Sequence, residues 1–232
     1  MTDASGAAIP VVCIDGPSGS GKGTLSRRVA EALGFHLLDS GALYRLTALA
    51  ATRRGVDLDD EAAVAEVAAT MQPRFEPAGD GWTRTWLDGD DVTRAIRAEE
   101  VGMRASRVAA QPAVRKALLA LQRGFRLPPG LVADGRDMGS VVFPAAPLKI
   151  FLTASAEERA RRRHKQLKDK GIGANLRALM KDIEARDEQD AQRAASPMVP
   201  AVDAIVIDST SLSIEEVTRQ VVVRARDCLN AE

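Results

Sequence analysis

The sequence predicts an α/β fold, a parallel sheet flanked by helices. Three observations carry this. Short apolar runs rich in β-branched residues, "IPVVCIDG", "LVAD", "LKIFLTAS" and "AIVIDST", alternate with longer stretches of helical period, the signature of a parallel sheet with crossover helices. The first run is apolar almost throughout, as strands buried on both faces are. It stops at Gly16 and opens onto "GPSGSGKGT", directly before a helical pattern; that is the strand–turn–helix setting of a loop that cradles phosphate.

Taken in order, residues 9–16 read as the first strand. "GTLSRRVAEALG" places Leu25, Val29, Ala32 and Leu33 at helical spacing and closes on Gly34, a common helix terminator. "FHLLDSG" is a second strand, "ALYRLTALAATRRG" a second helix and residues 57–71 a third. "PRFEPAGDGWTRTWLDGDDVTRAIR" alternates polar and apolar around Gly and Asp turns, which predicts a small antiparallel insert over 73–97. A helical stretch over 98–126 breaks near Pro112. "GLVADGRDMGSVVFP" contains the third strand and "LKIFLTAS" is the fourth. "AEERARRRHKQLKDKG" is a helix crowded with arginine, and "NLRALMKDIEARDEQDAQRAA" is a polar one. After the strand "AIVIDST" comes an amphipathic helix, with Ser213 and Glu216 at capping-box spacing.

The 232 residues suffice for one well-buried domain. Aromatic residues make up only 3% of the chain, which argues against a base-stacking nucleic-acid platform. The 32 Lys and Arg balance 32 Asp and Glu, so the chain lacks the basic excess of a generic DNA or RNA binder. Cys13 and Cys228 lie far apart without metal-ligand spacing, as in a reducing compartment. No apolar run reaches membrane-spanning length, and "MTDASGAAIP" has neither the basic nor the apolar region of a secretory signal. The expectation is a cytoplasmic monomer with no membrane or nucleic-acid partner.

Gly16, Pro17, Ser18, Gly19, Ser20, Gly21, Lys22, Gly23 and Thr24 form the phosphate loop. Its glycines let backbone N–H groups turn onto phosphate oxygens, Lys22 reaches the β and γ oxygens, and the following helix adds the positive end of its dipole. The strict pattern has Ser or Thr directly after the lysine. Here Gly23 intervenes, so Thr24, together with Asp134 at the end of "LVAD", is left as a candidate for the magnesium side. The loop implies a nucleoside triphosphate but not the acceptor, since switches, motors and small-molecule kinases all use it.

The variant GxxGxGKGT, followed in order by "LLDSGALYR", "DGRDMGSVVFP" and "EARDEQDAQRAASPMVPAVDAIVIDSTSLSIEEV", resembles the bacterial cytidylate kinases, a branch of the nucleoside monophosphate kinases. The resemblance runs from about Val11 to about Val222. It implies the reaction ATP + CMP → ADP + CDP with magnesium, and dCMP as a further acceptor. It also implies a core (about 9–40, 98–156 and 197–232), a monophosphate-binding lobe with a three-stranded insert (about 41–97) and a mobile arginine-bearing lid (about 157–196). Ser140 stands where the family motif has threonine in "DMGT".

Two phosphorylated nucleotides that meet head to head need their charge neutralised, and arginine does this bidentately without ever losing its proton. Arg45 follows "DSG" by one helical turn, and Arg136 follows "LVAD" at the carboxyl edge where α/β sheets place ligands. Arg159, Arg161, Arg162 and Arg163 are the lid candidates, on a helix whose charge equally suits a solvated surface. Lys22, Arg136, Arg162 and Arg186 are the expected catalytic cations, and Ser40 and Arg45 the expected partners of the acceptor phosphate. By resemblance, Ser106, Arg115 and Asp137 contact cytosine, and Arg186, Asp190 and Arg193 the ribose or base. A carboxylate accepts from cytosine's amino group, whereas uracil would turn a carbonyl toward it. No general base is needed, because a phosphomonoester is largely a dianion at pH 7. The rival readings are a kinase for UMP, AMP or a small alcohol, and a nucleotide-sensing switch. The second phosphate site and the absence of an NKxD motif disfavour the switch.

Overall fold

The computed structural model describes residues 8–78, 82–169, 173, 175–191 and 198–230. Five strands, β1 (Val11–Asp15), β2 (His36–Asp39), β6 (Leu131–Gly135), β7 (Leu148–Thr153) and β8 (Ile205–Asp208), form one sheet in the order β2-β6-β1-β7-β8. Every neighbouring pair is parallel. The β1 run is central and buried along its whole length, which explains its unbroken apolar pattern.

Helices α1 (Lys22–Leu33) and α8 (Ile214–Asn230) cover one face of this sheet. Val12 and Ile14 of β1, Ile150 and Leu152 of β7, and Val132 of β6 meet Leu25 and Val29 of α1 and Val217, Val221 and Ala225 of α8. Alternate residues of β1 face the other way, where free Cys13 is buried. Helices α6 (Ala156–Asp169) and α7 (Leu176–Ala191) pack on each other. A π-helical turn over Met138–Val142 follows β6; nothing in the local sequence announces it.

The chain divides into two compact units. The sheet belongs to one, Met1–Asp39 with Arg123–Glu232; the other is Ser40–Gln122. In the second unit α2 (Ser40–Arg53) packs on α3 (Glu61–Thr70) and α4 (Glu99–Ala109), with α5 (Pro112–Gly124) following. The expected insert is a three-stranded antiparallel sheet of β3 (Pro73–Ala78), β4 (Trp82–Leu87) and β5 (Asp90–Asp91). The helix expected over 57–71 starts later, at Glu61, because the Asp60 side chain accepts from the Ala63 N–H and caps it there. Pro112 begins α5, where its missing N–H costs nothing. The second unit runs to Gln122, past the 41–97 drawn for the lobe, because α4 packs along α2. Among the described residues, no helix is long and apolar enough to cross a membrane.

The capping box forms as expected. The Ser213 Oγ accepts from the Glu216 N–H at 3.2 Å, and Glu216 accepts from the Ser213 N–H at 2.8 Å. Since α8 supplies four core side chains, Val217, Val221, Val222 and Ala225, Ser213→Ala should cost about 1 kcal/mol and lower the thermal midpoint by about 2–4 °C. An unchanged midpoint in scanning calorimetry would show that this cap does not anchor α8.

Candidate active site

The phosphate loop is pressed against the sheet. Gly16 has φ +150°, and a Cβ there would lie 2.0 Å from the Leu152 carbonyl oxygen of β7, so only glycine fits. The Lys22 Nζ donates back to the Pro17 carbonyl at 3.2 Å, and α1 begins at Lys22. Thr24 is exposed on its first turn. Two arginines of α6 grip the loop from outside. Buried Arg159 donates to the Ser18 carbonyl at 3.1 Å and forks onto Asp187 of α7. Arg162 donates to the Ser20 carbonyl at 2.8 Å, to Oγ and the carbonyl of Ser209, and to Glu158. Loop carbonyls engaged by guanidinium groups leave the loop's N–H groups to an anion. Arg162, expected at the transferring phosphate, thus spends its donors on Ser20 of the loop, on Ser209 and on Glu158. Arg161 pairs outward with Glu157 in an exposed ion pair, the solvated-surface behaviour.

Three adjacent strands, β2, β6 and β1, carry aspartates at or next to their carboxyl ends. Asp39 of β2 lies in register with Asp134 of β6, whose other neighbour is Ile14 of β1, one residue before Asp15. Asp134 is 6% exposed, and its Oδ1 has no hydrogen-bond partner among the described residues. A Cβ at Gly23 would lie 3.3 Å from Asp134 Oδ2, so a Ser or Thr there would press on that carboxylate. Burial pushes the Asp134 carboxyl up to about 7, against the pull of Lys22 and with Asp39 adding to the rise. Burial likewise raises Asp15 to about 6, while hydrogen bonds from the Gly139 and Met138 N–H groups pull it down. Asp137, next to Arg136, is 3% exposed.

In the second unit, Arg45 Nη1 donates to the Ile96 carbonyl at 2.8 Å, and its guanidinium lies over Gly102, where the nearest nitrogen would be 2.9 Å from a Cβ. The Ser106 Oγ donates to the Gly102 carbonyl at 3.2 Å, so Arg45 and Ser106 meet at one residue of α4. Arg115 donates to the Ala109 carbonyl and stands 5.5 Å from the centroid of the Tyr44 ring, within cation–π range. Ser40 is buried as the first residue of α2. Arg186 and Asp190 lie on α7, with side chains outside the described residues; Arg193 also lies outside them.

Several residues of the site escaped the sequence reading. Asp187 and Ser209 serve as anchors for Arg159 and Arg162, and nothing local marks them. Asp15 and Lys149 did leave a signal, since each is a lone charge within a buried strand.

Because the folded Asp134 carboxyl titrates near 7 and the unfolded one near its ordinary value, the folded state binds the extra proton between about pH 4 and 7. Stability from this group therefore falls as pH rises from about 4 to 7, and the loss is complete above that range. Asp134→Asn should raise the thermal midpoint of the ligand-free protein at pH 8, by an energy on the order of 2–4 kcal/mol. The gain should shrink at pH 5. A pH-independent difference in differential scanning fluorimetry would contradict this.

A family model described as cytidylate kinase matches residues 12–227. A cytidylate kinase from Saccharophagus degradans is 61% identical over 217 residues, which is 93% of this chain and 96% of that protein. One from Pseudomonas fluorescens is 61% identical over 213 residues, covering 91% and 93%. One from Edwardsiella ictaluri is 56% identical over 223 residues, covering 96% and 99%. Motif order, fold and relatives agree, and the chain belongs to the cytidylate kinase family.

Proposed function

We propose that the protein transfers the γ-phosphoryl group of ATP to CMP, giving ADP and CDP, with dCMP as a second acceptor. The observation that carries this reading is the carboxyl edge of the sheet, where the phosphate loop and the Arg136–Asp137 pair leave adjacent strands, β1 and β6. Family membership supports the choice of acceptor.

In this reading, residues 16–24 hold the donor phosphates and Lys22 meets the transferring group. An oxygen of the CMP phosphate attacks the γ-phosphorus in line, the bond to the β-phosphate oxygen breaks, and ADP leaves. No proton has to be removed from the nucleophile, so catalysis is positioning plus charge stabilisation. Arg136 and Arg186 supply positive charge to the phosphates. Arg162 acts as a positioning residue through its hold on the Ser20 and Ser209 carbonyls. Ser40 and Arg45 bind the acceptor phosphate, Ser106, Arg115 and Asp137 the cytosine, and Arg186, Asp190 and Arg193 the sugar side.

The donor set also fits a magnesium ion. Asp134 offers a buried oxygen with no hydrogen-bond partner among the described residues, and Thr24 offers an exposed hydroxyl, both hard oxygen donors of the kind this ion takes. When bound, the ion neutralises charge on the donor phosphates. We further take the protein to be a cytoplasmic monomer; its two free cysteines suit a reducing compartment.

The test is kcat/KM with ATP for CMP, dCMP, UMP and AMP, in the wild type and in Asp137→Ala. CMP should lead the panel. A site built around a hydrogen bond rejects the mismatched analogue by factors up to ~10⁴. Asp137→Ala should therefore lower kcat/KM for CMP by orders of magnitude and change UMP far less. A wild type that prefers AMP or UMP overturns the acceptor reading. Equal losses for CMP and UMP would move base recognition away from Asp137.

A further inference from the structure

Two buried charges lie under the segment that carries Arg136 and Asp137, and the reaction described above uses neither. Asp15, at the end of β1, is 6% exposed; one of its carboxylate oxygens accepts from the Met138 N–H at 2.8 Å and the other from the Gly139 N–H at 2.8 Å. Lys149, within β7, is 7% exposed. Its ammonium donates to the Pro144 carbonyl at 2.5 Å and to both carboxylate oxygens of Asp203 at 2.9 and 2.7 Å. Its aliphatic stem runs beneath Gly139, where a Cβ would sit 3.1 Å from Lys149 Cγ and Cδ.

We propose that Asp15 and Lys149 are positioning residues for the acceptor: together they fix the backbone of residues 136–144 on the sheet and so set the placement of Arg136 and Asp137. This rests on the reading that Asp137 meets the cytosine.

The turn alone fixes part of that backbone. The Asp137 carbonyl accepts from the Val141 and Val142 N–H groups at 2.9 and 3.2 Å, and the Met138 carbonyl from the Phe143 N–H at 2.7 Å. Arg123 of α5 holds its far end, donating to the Val142 carbonyl at 3.0 Å; what remains is a polar tie to the sheet. Asp15 supplies it at the two residues directly after Asp137, and Lys149 at Pro144, just beyond the turn. The chemistry is specific to these residue types. An ionised carboxylate offers two acceptors and no donor, which two successive N–H groups require. An asparagine of the same shape turns an amide donor toward one of them. Lysine can pass four methylenes under a glycine and still deliver an ammonium to a carbonyl at the far end. Burying a charge is costly unless it is hydrogen-bonded. Simple packing under this segment would be served by apolar side chains, whereas here the Asp15 carboxylate is spent on the backbone of this segment, and the Lys149 ammonium, its charge balanced by Asp203, reaches the same segment at Pro144. Cys13 separates the two charges: it lies two residues before Asp15 on β1 and in register with Lys149. The ties are therefore independent anchors rather than one ion pair.

The test compares Asp15→Asn, Lys149→Met and Asp137→Ala with the wild type. For each, KM for CMP, KM for ATP, kcat and the ratio of kcat/KM for CMP to that for UMP are measured, with circular dichroism to confirm the fold. In Asp15→Asn and Lys149→Met, KM for CMP should rise at least tenfold and the CMP-to-UMP ratio should fall, while KM for ATP stays within twofold. Asp15→Asn added to Asp137→Ala should cost less in kcat/KM for CMP than it does alone, because the two act through one contact. Equal rises in both KM values, or an unchanged KM for CMP in a folded Asp15→Asn, overturn the proposal. If Asp137→Ala leaves the CMP-to-UMP ratio intact, the base reading fails; Asp15→Asn then still reports on the anchor through KM for CMP, by way of Arg136. Hydrogen exchange of the wild type needs no variant. The Met138 and Gly139 amides should exchange as slowly as those of β1, and fast exchange there also overturns the proposal.

Discussion

The structure of the site depends first on a close approach of two backbones. Where β1 ends, Gly16 passes so near β7 that a Cβ would sit 2.0 Å from the Leu152 carbonyl oxygen. That approach sets the height at which the phosphate loop leaves the sheet, and with it the start of α1 at Lys22. The loop is then held from the other side by Arg159 and Arg162 through the Ser18 and Ser20 carbonyls. A loop fixed on both sides does not have to reorganise its dipoles when charge arrives, and preorganised dipoles are where phosphoryl-transfer catalysis gains most.

Around this loop the electrostatics work by opposition. Asp39 and Asp134 stand in register at the carboxyl edge of the sheet and Asp15 ends the strand beside them; burial raises Asp134 against the pull of Lys22 and Arg136, and raises Asp15 against its two main-chain hydrogen bonds and Arg136. Asp134 is an expensive residue, since burial drives its carboxyl up to about 7. Such a penalty is tolerated where a group is kept for function. The same logic separates Asp134 from Asp15. Asp134 keeps an oxygen with no hydrogen-bond partner among the described residues, whereas both oxygens of Asp15 hold main-chain N–H groups. The first suits a ligand and the second suits an anchor.

Much of this was legible in the sequence. The sheet strands, the flanking helices, the three-stranded insert and the phosphate loop follow from periodicity and from Gly and Pro punctuation, because each is encoded within a dozen neighbouring residues. The start of α3 was missed by four residues, since a side-chain cap from Asp60 outweighs the apolar pattern. The roles of the α6 arginines were not legible. "EERARRRHKQLK" reads the same whether an arginine faces solvent, as Arg161 does, or buries itself against the phosphate loop, as Arg159 does. Only the partners Asp187, Ser18 and Ser209, distant in sequence, decide it. Asp15 in "VVCID" and Lys149 in "LKIFLT" are lone charges in buried strands, and their partners on the 136–144 segment follow only from the fold.

In the function proposed above, acceptor recognition is built before the acceptor arrives: a backbone fixed by Asp15 presents Asp137 to the base. A crystal structure of the full chain with CMP bound tests this most directly. The account predicts the cytosine amino nitrogen within hydrogen-bond distance of the Asp137 carboxylate, about 2.7–3.2 Å, with the Met138 and Gly139 N–H groups still held by Asp15. A rearranged 136–144 segment released from Asp15, or an amino group bound elsewhere, would contradict it.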